Sequence, residues 1–387
     1  MIRTGITGID EMLGSGIPRG TRVVFSLEPG VEGRMFMMRT IASALSEKKN
    51  VCILSPHCTG RVFISECMEI LEIDILKLGG KAVILDSTVR ESINSREKKV
   101  TSRKLAWKKL IEETLEQHSI DVFFVYFDLL YEDLGLMKAL DLLPTARERD
   151  RVTTVVEHLN LEGDSLISRF ASENIFDLII SIHSAFTLVP FFNFFTLEYV
   201  SWARIPRRSI PYTVAGRNIR LYIPKIIITG PPASGKSTFV SNASDSGISV
   251  DRGDLDGYRT TVAMDLGWLH FRGFDITIFG TPGQPRFDPI IPQLVKNAMG
   301  IILLLDATRP DRFVRAKELL DLAHAEKLPL VIAVNKSDLP HQMDEVTIRK
   351  VLNLRDDIPV FFISALKRPD VHYVVESMVD RITRHPY

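Results

Sequence analysis

Short, unbroken apolar runs recur along the chain, each closed by a polar or glycine-rich turn and followed by a longer stretch of helical character. In the first half they are "RVVFSL", "NVCILS", "AVILD" and "DVFFVYFD"; in the second, "KIIITG", "DITIFG", "GIILLLDA", "PLVIAVN" and "PVFFIS". Strands with one wet face alternate apolar and polar residues, whereas strands covered on both faces read as continuous apolar runs. Strands of the second kind separated by helices predict mainly parallel sheets with helices on both sides. The sequence strand, glycine-rich turn, helix occurs twice, from Arg22 to Leu45 and from Lys225 to Val240. The fold class expected is therefore α/β, as two P-loop-type three-layer α/β/α domains. Pro224, after the short run "IRLYI", suggests domains at 1–223 and 224–387.

Composition narrows this only slightly. A chain of 387 residues is long enough for two domains with real cores, and 45% hydrophobic with 25% charged residues is globular composition. The net charge is zero, so there is no general pull toward nucleic acid or anionic membrane. The basic stretch "SREKKVTSRKLAWKKL" (Ser95 to Leu110) reads first as a solvated helix face, with contact to anionic lipid, nucleic acid or an acidic partner as the minor alternatives. Leu178 to Leu197 holds no Lys, Arg, Asp or Glu and is long enough to span a bilayer, but its "VPFFN" turn and β-rich flanks favour a buried strand pair. Cys52, Cys58 and Cys67 lack zinc-site spacing and read as free thiols. The opening "MIRTGITGIDEML" lacks a signal-peptide pattern, and a cytoplasmic location is expected.

The chemistry is densest in the second half. "GPPASGKS" fits G-x-x-x-x-G-K-[ST]: Gly230, Pro231, Pro232, Ala233, Ser234 and Gly235 would wrap a β-phosphate with backbone N–H groups, Lys236 would neutralise the β- and γ-phosphates, and the Ser237 hydroxyl would bind Mg2+, with Thr238 following in the helix. "NKSD" follows the strand "LVIAV"; a carboxylate such as Asp338 can accept from both guanine N1–H and its exocyclic amine, a donor pair adenine lacks. "ISALK", with Ser364, Ala365 and Leu366, follows the last strand.

In this order and spacing the motifs resemble those of Ras-like small GTPases, over Lys225 to about Tyr387, and especially a prokaryotic group pairing "TTVAMD" with "FGTPGQ". The resemblance implies GTP/GDP and Mg2+ as ligands. It makes Asn335 a tie to the phosphate loop, Lys336 a cover for the base, and Ala365 the backbone contact to the guanine oxygen. Thr261, with Thr260 one residue off, would be the switch threonine on Mg2+; Gly283 would give its N–H to the γ-phosphate and Gln284 would orient the attacking water. One departure stands out: Gly280 replaces the Asp that ordinarily precedes this Thr-Pro-Gly-Gln turn. Asp265 and Asp275 are candidates to compensate, and Arg259 and Arg286 are candidates for an arginine finger.

Thr4 to Phe36 resembles the opening of KaiC-like members of the RecA superfamily, and Leu197 to Ile223 their closing strands. Here the phosphate-loop lysine and hydroxyl are replaced by Arg34 and Met35, "PHCTG" with His57 and Cys58 stands where catalytic acids are usual, and only Asp128 remains at the Walker B position. Met35 cannot bind Mg2+, so ATP turnover is not expected, and His57 reads as an ordinary loop residue. The whole implies a regulatory GTPase, slow and partner-dependent, of prokaryotic and by resemblance archaeal type. Protein regulators or effectors would be its partners, and the degenerate domain would serve docking or self-association. The alternative is a scaffold that senses GTP without significant hydrolysis.

Overall fold

The computed structural model describes residues 1–31, 33–144, 152–161, 164–184, 193–205, 207–249, 252–255, 258–261, 265–341 and 343–384, the side chains of 164–166, 246–249, 252–255, 258–261 and 384 excepted. The chain divides into two compact units, Met1–Leu221 and Tyr222–Tyr387.

In the N-terminal unit the strands are β1 (Arg22–Leu27), β2 (Val51–Leu54), β3 (Ala82–Leu85), β4 (Val122–Tyr126), β5 (Thr153–Leu159), β6 (Leu178–Ser184), β7 (Asn193–Val200), β8 (Ser209–Ala215) and the start of β9 (Asn218–Thr229). They lie in the order β3-β2-β4-β5-β1-β6-β7-β8-β9. From β3 to β6 all neighbours are parallel, and β6 to β9 form an antiparallel meander. β2 is buried at every residue and β1 at every residue but its first, which explains the absence of alternation in their sequences. The charge-free stretch supplies β6 and β7, paired from Leu178↔Val200 to Ser184↔Asn193, while Pro190 lies outside the described residues. Among the described residues, no helix is long and apolar enough to cross a membrane.

The basic stretch leads into the helix Val100–Gln117. Its buried face comprises Trp107, Ile111, Thr114 and Leu115, a helical spacing that begins only near the end of the basic run. Several of its lysines are paired, Lys104 with Asp141 and Lys108 with Glu112.

The C-terminal unit uses the end of β9 with β10 (Ser246–Ser249), β11 (Arg252–Leu255), β12 (Tyr258–Thr261), β13 (Asp265–Phe271), β14 (Phe274–Gly280), β15 (Gly300–Asp306), β16 (Leu330–Asn335) and β17 (Val360–Phe362). Its sheet runs β10-β13-β14-β9-β15-β16-β17, with β11 and β12 as a separate hairpin. β15 and β16 are buried throughout, whereas β13 and β14 alternate. β9 does not stop before Pro224. The ring sits at an exposed position, where a strand tolerates the loss of a donor.

Candidate functional site

The phosphate loop turns out of β9 at Gly230 and enters the helix Lys236–Ala243, which Phe239, Val240 and Ala243 hold against the core. Two glycines are there for space as well as conformation. At Gly230 (φ 152°) a Cβ would meet the Leu304 carbonyl oxygen at 2.1 Å, and at Gly235 (φ 97°) the Asn335 amide at 2.2 Å. Lys236 Nζ donates to the carbonyls of Gly230 and Pro231, both at 2.8 Å. Burial pushes its ammonium down to about 7; the charge of Asp265 opposes that push and Arg312 adds to it. Ser237 and Thr238 follow, half-buried, in the first helical turn.

Asn335, at the end of β16 and buried, joins two loops distant in sequence. Its Nδ2 donates to the Ser234 carbonyl (2.8 Å), and its Oδ1 accepts from Ala365 N–H (2.7 Å). The Ala365 carbonyl accepts from Asn242 Nδ2 (2.7 Å) and Ser364 N–H donates to Asp370 (2.9 Å), which fixes the whole turn Ser364 to Leu366. The Ala365 N–H thus already serves the Asn335 side chain, a partner that sequence reasoning did not give it. Lys336 Nζ reaches the Ala233 carbonyl (3.0 Å) and Asp306 (2.5 Å). Burial raises the Asp306 carboxyl, but hydrogen bonds from Lys336 and Thr308 outweigh it and leave the group below its ordinary value. Asp338 stands exposed on the same loop.

The Ras family model matches residues 225–384. The C-terminal unit thus carries a Ras family domain. Ras-related protein Rab-27B of Homo sapiens is 27% identical over 183 residues, covering 42% of this chain and 81% of that protein. The uncharacterized protein MJ1339 of Methanocaldococcus jannaschii is 30% identical over 119 residues, 30% of this chain and 71% of its own length. Among solved structures, the KaiC-like protein PH0186 of Pyrococcus horikoshii is 16% identical over 57% of this chain and 98% of its own, with a TM-score of 0.45. The Arl6 BBS3 small GTPase of Trypanosoma brucei is also 16% identical, over 42% of this chain and 97% of its own, with a TM-score of 0.35.

In the Ras family unit, Asp265 and Gly280 are direct partners across β13 and β14. Asp265 is buried, and a Cβ on Gly280 would lie 3.2 Å from its Cβ and its Oδ2. The carboxylate missing from position 280 is thus present one strand over, near enough to Lys236 to stabilise its ammonium. Asp275 is engaged elsewhere, 2.7 Å from His270 Nδ1. Gly283 packs onto the phosphate loop, where a Cβ would meet the Gly230 oxygen at 2.4 Å, and Gln284 opens the short 3-10 turn Pro285–Ile290. Thr260 and Thr261 end β12, and their side chains, like that of Arg259, lie outside the described residues.

Two arginines escaped the sequence reading. Arg286, the expected candidate, stacks over the Phe287 ring at 4.8 Å. Arg312, in the turn after β15, instead donates to the Pro232 carbonyl of the phosphate loop. Arg315, one turn on, contacts the Gly283 carbonyl (3.4 Å) and Asp288 (3.0 Å), anchoring the segment that carries Gln284. The only signal was "DATRPDR" itself, which belongs to none of the nucleotide motifs.

The equivalent region of the N-terminal unit is built differently. Met35 is buried in the core and Arg34 is exposed. Gly33 leaves no room for a side chain, since a Cβ there would lie 2.6 Å from the Leu27 side chain. Asp128 accepts from His158 Nδ1 (2.7 Å) and Leu159 N–H (2.9 Å).

Proposed function

We propose that the Ras family unit is a guanine-nucleotide switch that hydrolyses GTP to GDP, slowly and under the control of partner proteins in the cytoplasm. The N-terminal, KaiC-like unit serves docking or self-association. The Asn335 bridge carries this reading, because it locks the phosphate loop to the Ser364–Leu366 turn that would bound a base. Asp338, exposed beside it, is a carboxylate with the acceptor pair that guanine requires.

The donor set suits Mg2+: the Ser237 hydroxyl, the Thr261 hydroxyl and the Asp265 carboxylate are hard oxygen ligands. Bound there, Mg2+ would neutralise phosphate charge. Lys236, held over the loop, exchanges its two carbonyl acceptors for phosphate oxygens, and Gly283 offers its N–H to the terminal phosphate. Gln284 holds the attacking water in line, and Arg312 adds a second positive charge beside the loop. Loss of the γ-phosphate would release the Thr261 and Gly283 segments, which is the switch.

Asp265 opposite Gly280 weakens the case for a scaffold that binds GTP without turnover, since that reading rested on a missing carboxylate. Single-turnover phosphate release with Mg2+ tests the enzyme. Gln284→Leu is expected to keep GTP binding and lose at least tenfold in rate; bound GTP that is never consumed, even with cell extract added, would leave the scaffold reading standing.

A further inference from the structure

A cavity of about 380 Å³ in the N-terminal unit opens at the carboxyl ends of β1, β2, β4 and β5, where parallel sheets place ligands. Its polar lining is Glu28, Arg34, His57, Glu66, Asp128 and Glu157. Glu28, Glu66 and Asp128 outnumber the one guanidinium, a balance that repels a polyphosphate and attracts a cation. At this cavity the ligand atoms of His57, Cys58 and Glu66 all lie within 4.8 Å of one another. His57 and Cys58 occupy the loop after β2. Glu66 comes from the next helix, Gly60–Leu71, on the same face as the cavity-lining Phe63. The Ser55 hydroxyl supports both loop residues, 3.5 Å from His57 Nδ1 and 3.4 Å from Cys58 Sγ.

Two further atoms point to a ligand. Tyr126 Oη and Glu157 Oε2 are buried without a hydrogen-bond partner among the described residues, and both residues line this cavity. Native structures seldom leave such atoms unserved. The His57 ring packs edge-on against Tyr126, with centroids 5.1 Å apart, so the unserved hydroxyl belongs to the ring adjoining the triad.

We propose that His57, Cys58 and Glu66 bind a divalent transition-metal ion of the zinc class, with its remaining coordination position open to the cavity. Thiolate, imidazole and carboxylate are the donors such an ion takes in sites with an exchangeable fourth ligand. Bonds of about 2.0–2.3 Å need donor atoms about 3.4–3.6 Å apart, a contraction that a loop and one helix side chain can supply. Binding releases the Cys58 thiol proton to solvent.

The test uses the full chain, stripped with chelator and saturated with GDP and Mg2+ so that the Ras family unit is occupied. Titration with Co2+ should give one ion per chain with a thiolate-to-cobalt charge-transfer absorption, displaced by Zn2+. Cys58→Ser should abolish that band. Glu66→Gln, which changes neither size nor shape, should weaken binding at least tenfold while leaving the metal-free melting temperature unchanged. Stoichiometric binding without the band, a band surviving Cys58→Ser, or parental affinity in Glu66→Gln would each overturn the assignment. Cys52 and Cys67 are fully buried and stand as the internal control.

Discussion

The pairing of Asp265 with Gly280 lends itself to an exchange experiment. Gly280 does not sit at positive φ, so what keeps it small is the Asp265 side chain rather than its backbone. With a Cβ already 3.2 Å from Asp265 Oδ2, Gly280→Asp would put two carboxylates about 4 Å apart in a buried strand pair. At an effective dielectric of about 20 their repulsion is ~4 kcal/mol. Lys236 offsets part of it, leaving a loss on the order of 2 kcal/mol. Asp265→Gly should instead remove the carboxylate and raise the Mg2+ concentration needed to retain nucleotide at least tenfold. The exchanged protein, Asp265→Gly with Gly280→Asp, restores one carboxylate to the site and should recover most of both losses. The coupling between the two changes would then be about 2 kcal/mol or more. Release of a fluorescent GDP analogue against Mg2+ concentration, with thermal melts of all four proteins, measures this. Parental Mg2+ dependence in Asp265→Gly, or an exchanged protein showing simply the sum of the single losses, would refute the reasoning.

Asn335→Ala removes both ends of a buried bridge and should cost about 2–4 kcal/mol of nucleotide affinity, read by equilibrium titration. Arg312→Ala should slow single-turnover hydrolysis at least tenfold with little change in GDP affinity, whereas Arg286→Ala should do neither. Glu157, raised to about 8 by burial and by Asp128 with Arg34 opposing, binds its proton in the folded state across a range where the unfolded chain has lost it. Stability should therefore fall as pH rises from about 5 to 8, by at most ~1.4 kcal/mol per unit, and Glu157→Gln should flatten that slope in chelator-treated protein melted across this range.

Apolar runs and turn chemistry were enough to read the two-fold repeat of strand, loop and helix, because strands buried on both faces leave a signature that needs no partner information. The loops carrying Lys236 and Asn335 were legible for a related reason: each directly follows such a strand, whereas Ala365 follows the part-exposed but still apolar β17. What escaped was whatever depends on neighbouring strands or turns. Asp265 comes to face Gly280 only through the antiparallel register of β13 and β14, fifteen residues away in sequence, and two acidic candidates looked equivalent until that register was known. Arg312 reaches the phosphate loop from eighty residues downstream. Cysteine spacing alone gave no reason to join Glu66 to His57 and Cys58, because the third donor is a carboxylate brought in by a helix. The helix Val100–Gln117 shows the same limit, since its buried stripe starts at Trp107, where the conspicuous basic run is nearly over.

The central claim is that the Ras family unit holds guanine nucleotide, and the most direct measurement is the identity of the nucleotide released when the protein, purified rapidly in Mg2+, is denatured and its supernatant separated by ion-pair chromatography. The account predicts GDP or GTP at close to one per chain, lost in Lys236→Ala. ATP or ADP at that stoichiometry, or guanine nucleotide retained undiminished in Lys236→Ala, would contradict it.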